Sequence, residues 1–81
     1  MISEAEKARL LIGFKQVKRA LSEGRAEKVF LSGDCETKIS APVETLAGEN
    51  NVQLFYIATM KELGELCGIS VKASCAVVLK A

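Results

Sequence analysis

The stretch GFKQVKRAL, residues 13–21, places Lys15, Gln16, Lys18 and Arg19 within five positions, directly after Gly13. Three cations and an amide in such a short span suit the holding of an anionic ligand better than the making or breaking of bonds. Other chemistries find little to work with in the chain. It has no histidine, which removes the commonest general base and half of most nucleophile dyads. Cys35, Cys67 and Cys75 are unevenly spaced and form no CxxC pair, so neither a metal site nor a cofactor is expected. They read as reduced thiols in or near the core of an intracellular protein. Among the carboxylates, Asp34 and Glu36 sit beside a turn, and Glu62 and Glu65 solubilise a helix. An enzyme is not expected.

The 81 residues, with a formal net charge of +1, leave room for one domain, expected over residues 1–81. A chain of this size buries about 60–65% of its unfolded surface, enough for one layered core and little for a deep pocket. Roughly half of its residues are apolar, a folding composition rather than a disordered one. No apolar run is long enough to span a membrane, and MISEAEKARLL lacks the cationic start and cleavage site of a signal peptide. A cytoplasmic location is the expectation. The small net charge hides an asymmetry: Lys7, Arg9, Lys15, Lys18 and Arg19 follow one another with no acid between them, whereas acids outnumber cations from Val29 onward. Local fields, more than net charge, steer a polyanion to one face.

Several elements must position these groups. Ser3 and Glu6 form a capping box that opens a helix expected over residues 4–11, broken by Gly13. A second helix, Phe14 to Ser22, ends at Gly24 in a left-handed cap. KVFLS (28–32) reads as a strand before the Gly33-Asp34 turn. A third helix lies between Thr37 and Ala47; Pro42 suits a first turn, which would move its start toward Ser40. VQLFYI (52–57) reads as a strand buried on both faces. Thr59 and Glu62 form a second capping box, opening a helix that Gly68 closes, with Met60, Leu63 and Cys67 on its apolar stripe. CAVVLK (75–80) is the last strand. This alternation predicts an α/β fold, a three-layer α/β/α sandwich around a small mixed, mostly parallel sheet.

At about 100° per residue, Phe14, Val17, Ala20 and Leu21 fall on the inner side of the second helix. Arg19 points away from them, flanked by Lys15 and Gln16, while Lys18 stands at the boundary with its stem on apolar surface. The ordinary alternative is that these are good helix formers on a wet face. Against it, cations at a helix N-terminus oppose the macrodipole, and no acid stands three or four positions from Lys15 to offset it. Gly13 would let a ligand backbone approach the free N–H groups of the first turn.

The stretches LIGFKQVKRALSEG, KVFLSGDC and MKELGELCGISVKASCAVVL, in that order, resemble the small kink-turn RNA-binding ribosomal proteins of the L-seven-Ae/L-thirty-e type, in particular their short bacterial YbxF-like members. The pieces carrying most specificity are G-x-K-Q-x-x-[KR] at Gly13 to Arg19 and L-G-x-x-C-G-I-x-V at Leu63 to Val71. The resemblance spans essentially the whole chain and implies the same α/β/α sandwich. It also implies binding of RNA duplexes bent at a bulge beside tandem sheared G·A pairs. Lys15, Gln16 and Arg19 would then contact the guanine edges, with Lys18 beside them. Gly13 would admit the RNA backbone to the helix end, and Gly68, Ile69, Ser70 and Val71 would pack against bulged nucleotides. Phe14 stands where members usually carry a small residue, and Ser70 where archaeal members often carry an acid. The expected partner is kink-turn RNA, ribosomal or from a riboswitch, bound by a monomer with no DNA or membrane partner. Two other functions fit the same fold: a protein-interaction module, and a recognition domain detached from an RNA-modifying enzyme.

Overall fold

A computed structural model describes residues 2–81. Eight elements follow one another: α1 (Glu4–Lys7), β1 (Leu10–Ile12), α2 (Phe14–Ser22), β2 (Ala26–Ser32), α3 (Thr37–Glu49), β3 (Gln53–Ile57), α4 (Met60–Leu66) and β4 (Cys75–Leu79). The four strands make one sheet in the order β1-β4-β2-β3. Side chains alternate across it, as the two-residue period of a strand requires. Val29, Leu31, Cys75 and Val77 pack beneath α2 and α3, together with Val17, Leu21 and Val43. Phe30, Ala76 and Val78 face the opposite way, against Leu63 and Cys67 of the α4 segment. Helices on both faces of a central sheet give the expected α/β/α sandwich.

Three expectations about the sheet and its flanks need correction. The sheet is mixed, but its balance is antiparallel: β2 and β3 run parallel, whereas β4 is antiparallel to both β1 and β2. After α4 the chain doubles back, with the Ala73 N–H donating to the Met60 carbonyl at 3.0 Å, so β4 enters the sheet at the end where β3 left it. The first helix is one turn long, and Leu10–Ile12 is a strand pairing with Ala76–Val78. The Ser3–Glu6 capping box does form, in both directions, but it sustains only that turn, because a three-residue apolar run gains more from sheet pairing. β3 is an edge strand whose residues are mostly half-buried or exposed, not buried on both faces.

α3 starts at Thr37 and carries Pro42 in its second turn, not its first. A proline there lacks the N–H that would bond the Lys38 carbonyl, and its ring crowds that carbonyl, a local cost confined to the start of the helix. The helix ends are built alike. After α2, Gly24 at φ +70° and Arg25 bond back to Leu21 and Ala20; after α4, Gly68 at φ +77° and Ile69 bond back to Glu65 and Gly64. Both are the paired 5→2 and 6→1 closures that favour glycine. Asn51, at φ +54°, does the same for α3. At the start of α4, Thr59 accepts from the Glu62 N–H and Asp34 accepts from the Met60 N–H at 2.8 Å.

Candidate nucleic-acid interface

The carboxyl ends of β1, β2 and β3 and the amino end of β4 lie at one edge of the sheet, the usual place for ligand-binding loops in an open α/β fold. The Gly13 N–H donates to the Cys75 carbonyl at 3.0 Å, and the Ser32 N–H donates to the Ser74 carbonyl at 2.9 Å. These two bonds bring the start of α2 and the end of the α4–β4 loop to the same edge. The first motif therefore begins at that edge, and the loop that follows the second motif returns to it.

Gly13 is the N-cap of α2, with φ +113° and ψ 158°. Few residues with a Cβ adopt that conformation. It offers no side chain to the first turn, and that turn contains no acid. Among the described residues, the N–H groups of Phe14, Lys15 and Gln16 bond to no backbone carbonyl outside the helix, and a helix offers its first N–H groups none within it. The helix thus presents a partial positive charge together with its own cations. The buried stripe forms as expected: Val17 and Leu21 are fully buried, Ala20 nearly so, and Phe14 packs half-buried against them. Lys15, Gln16, Lys18 and Arg19 are all exposed, and with Ser22 they line one shallow groove. Lys18 places its ammonium 5.0 Å from the centre of the Phe14 ring, so the aromatic residue supports a cation of the groove from beneath.

The larger basic sector narrows in three dimensions. Lys7 pairs with Glu4, and Arg9 lies 3.7 Å from Glu27 while donating to the Leu79 carbonyl at 2.7 Å. Those two cations serve the fold. Arg19 lies 3.6 Å from Glu23, but both side chains are well exposed, and such surface pairs contribute about 0–1 kcal/mol. Among the described residues, no carboxylate lies within ion-pairing distance of Lys15 or Lys18.

Gly68 begins the second part of the site. The chain then folds back across α4 so closely that a Cβ on Gly64 would stand 2.1 Å from the Val71 carbonyl oxygen. Ile69 is half-buried in the core beneath α4, whereas Val71 is 67% exposed. Ile69, Ser70 and Val71 line an open groove with Lys61, Glu65 and Lys72. Val71 is thus an apolar side chain held out in solvent, in a groove that it shares with two lysines and one carboxylate. Gly64, Lys61 and Lys72 were not singled out from the sequence for this role. Gly64 stands in the L-G-x-x-C-G-I-x-V spacing, which could have flagged it as a site of close backbone approach.

The thiols are as expected: Cys75 is fully buried, Cys67 nearly so and Cys35 half-buried, all unbridged. Burial pushes the Cys67 and Cys75 thiols up from their ordinary range, which leaves them poor nucleophiles.

An uncapped cationic helix end and an exposed apolar loop, on an α/β/α frame, suit the holding of a polyanion. Residues 2–81 match the model of the ribosomal protein L7Ae/L30e/S12e/Gadd45 family. The chain belongs to that family, whose curated relatives named here are RNA-binding proteins. It is 38% identical over 72 residues to an RNA-binding protein of Geobacillus thermodenitrificans, covering 89% of this chain and 88% of that one. The RNA-binding protein YbxF of Geobacillus stearothermophilus is 38% identical over the same shares. An RNA-binding protein of Bacillus pumilus is 31% identical over 96% of this chain and 93% of its own. Among solved structures, the Giardia lamblia 15.5kD RNA binding protein superposes with a TM-score of 0.84 at 21% identity, over 91% of this chain and 62% of that one. A Bacillus halodurans protein of unknown function gives 0.83 at 23% identity, over 95% of this chain and 77% of its own. These two share the fold; this chain spans less than two thirds of the Giardia protein.

Proposed function

We propose that this protein is a non-enzymatic RNA-binding protein that recognises and stabilises kink-turn RNA, acting as a cytoplasmic monomer on ribosomal RNA or a riboswitch. The observation that carries the reading is the start of α2: an exposed Lys15, Gln16, Lys18 and Arg19 groove around an uncapped helix end. A regular A-form major groove is too deep and narrow for a helix to read, so helix and bases can meet only where the duplex opens. A sharp bend beside non-Watson–Crick pairs provides such an opening. There Lys15, Gln16 and Arg19 reach the guanine edges and Lys18 faces a phosphate. Gly13 admits the backbone, and Gly68 to Val71 cover bulged nucleotides, with Ser70 at the rim. Phe14 keeps Lys18 in place. Cations crossing the bend lower the repulsion between converging strands, and affinity for the bent state alone shifts the RNA population toward it.

The test is a titration of an end-labelled kink-turn duplex, with fluorescence reporting the bend, at fixed salt. A duplex of equal length and no bulge is titrated beside it. Bending and preferential binding of the kink-turn are expected; equal affinity for the two duplexes would refute the reading.

A further inference from the structure

β3 is the exposed edge of the sheet on the side away from β1. Its five residues, Gln53 to Ile57, include no charge and no proline, the devices by which edge strands usually discourage pairing. It bonds to β2 on one side, and alternate residues turn their N–H and C=O groups outward. At the carboxyl end of that edge, between β3 and α4, lies a groove lined by Tyr56, Ile57, Ala58, Glu62, Glu65 and Leu66. Tyr56 is 59% exposed, and its hydroxyl donates to the carboxylate of Glu44 on α3. Acids therefore flank the edge on both faces of the sheet. Among the described residues, no cation lies within ion-pairing distance of Glu44, Glu62 or Glu65.

We propose that the outer edge of β3 docks an extended Lys/Arg-rich segment of a protein partner, which adds a fifth strand to the sheet. Main-chain hydrogen bonds supply the affinity of strand addition, and side chains on alternate positions supply its selectivity. A segment alternating cations with small aliphatic residues meets the need: aliphatic groups enter the groove against Ile57 and Leu66, and cations meet Glu44, Glu62 and Glu65. The charge of the edge selects among occupants. Phosphates of RNA are repelled by the three carboxylates. A second copy joined β3 to β3 by a twofold axis would set its own Glu62 and Glu65 opposite these, and like charges facing one another are unfavourable. The surface shares no residue with the α2 groove and only Glu65 with the loop groove, so the protein can hold RNA on α2 and a basic protein tail together.

The probe is a ten-residue peptide alternating lysine and valine, titrated into the isotopically labelled full-length protein and followed by backbone amide NMR. Shifts centred on Gln53–Ile57, with slowed exchange of outward amides, are expected. Binding should weaken at least tenfold in the double charge reversal Glu44→Lys, Glu62→Lys and persist in Lys15→Ala. An alternating glutamate–valine peptide should not bind. No shift at β3 up to about 1 mM peptide, equal binding of the acidic peptide, or a β3-mediated homodimer without peptide would each overturn the proposal. Kink-turn affinity measured on the same samples reports separately on the α2 groove.

Discussion

At the scale of the residue, the α2 groove sets each cation in a different situation, and their substitutions should differ accordingly. Lys15 has no carboxylate within ion-pairing distance among the described residues, whereas Arg19 shares its charge with Glu23 at 3.6 Å. Lys15→Ala and Arg19→Ala should each weaken kink-turn binding by about 1–3 kcal/mol, the range for side chains that contact base edges. Both are exposed, so melting temperatures should stay near wild type, which separates lost contact from lost fold. Glu23→Gln should act in the opposite direction. Removing the competing carboxylate frees Arg19, and affinity should rise by a factor of about 2–5, the worth of an exposed ion pair. A fall in affinity in this variant would mean that Glu23 does not compete with the RNA for Arg19.

At the scale of the element, α2 was legible from sequence because its signals agree: a glycine before it, a stripe at helical spacing, and a glycine after it. Lys15 to Arg19 could be placed on one face for the same reason. β1 was not legible. Leu10–Ile12 is too short to show a period, and its strand state is decided by pairing with Ala76–Val78, some sixty residues away. The direction of β4 was hidden for a related reason, since it depends on the return of the α4–β4 loop. Gly64 is where that return is tightest. Gly64→Ala should push the loop away from α4, because backbone at 2.1 Å cannot yield as a flexible side chain would. A stability loss of about 1–3 kcal/mol is expected from such overpacking. Kink-turn affinity should fall further than in Lys15→Ala while α2 amide shifts stay native.

α1 offers a second element-scale measurement. Its Glu6 reaches Lys28 of β2 in an ion pair whose two side chains are 14% and 25% exposed. The hydrogen bond from Lys28, and then the Ser3 N–H, hold the Glu6 carboxyl down to about 2 from an ordinary 4.5. A folded value below the unfolded one means stability that is complete above pH 4.5 and is lost as pH falls toward 2. Glu6→Gln keeps a residue able to close the capping box and removes only the charge. The gap in urea midpoint between wild type and this variant should be constant from pH 7 to about 5 and should close as pH falls toward 2. A gap that did not narrow would mean that the Glu6 charge does not fasten α1 to the sheet.

At the scale of the whole molecule, a net charge of +1 understates the field that an RNA meets. Lys15, Lys18 and Arg19 line one groove, and Lys61 and Lys72 line the other beside the α4–β4 loop. Glu62 stands toward the β3 edge, and Glu65 lies between that edge and the loop groove. Charge is thus sorted by face, and a polyanion approaching the loop edge meets mainly cations. The salt dependence of binding measures this sorting, because each phosphate contact releases condensed counterions and steepens the slope of log K against log salt by a little under one. With Lys18, Lys61 and Lys72 on phosphates, the slope should lie between about −2 and −2.7. If only the net charge were felt, it would be about −1 or shallower. Lys18→Ala should reduce the slope by about one, whereas Glu44→Gln, which lines neither cationic groove, should leave it unchanged. A wild-type slope near −1 would show that the two grooves do not act on the RNA together, however well each is formed.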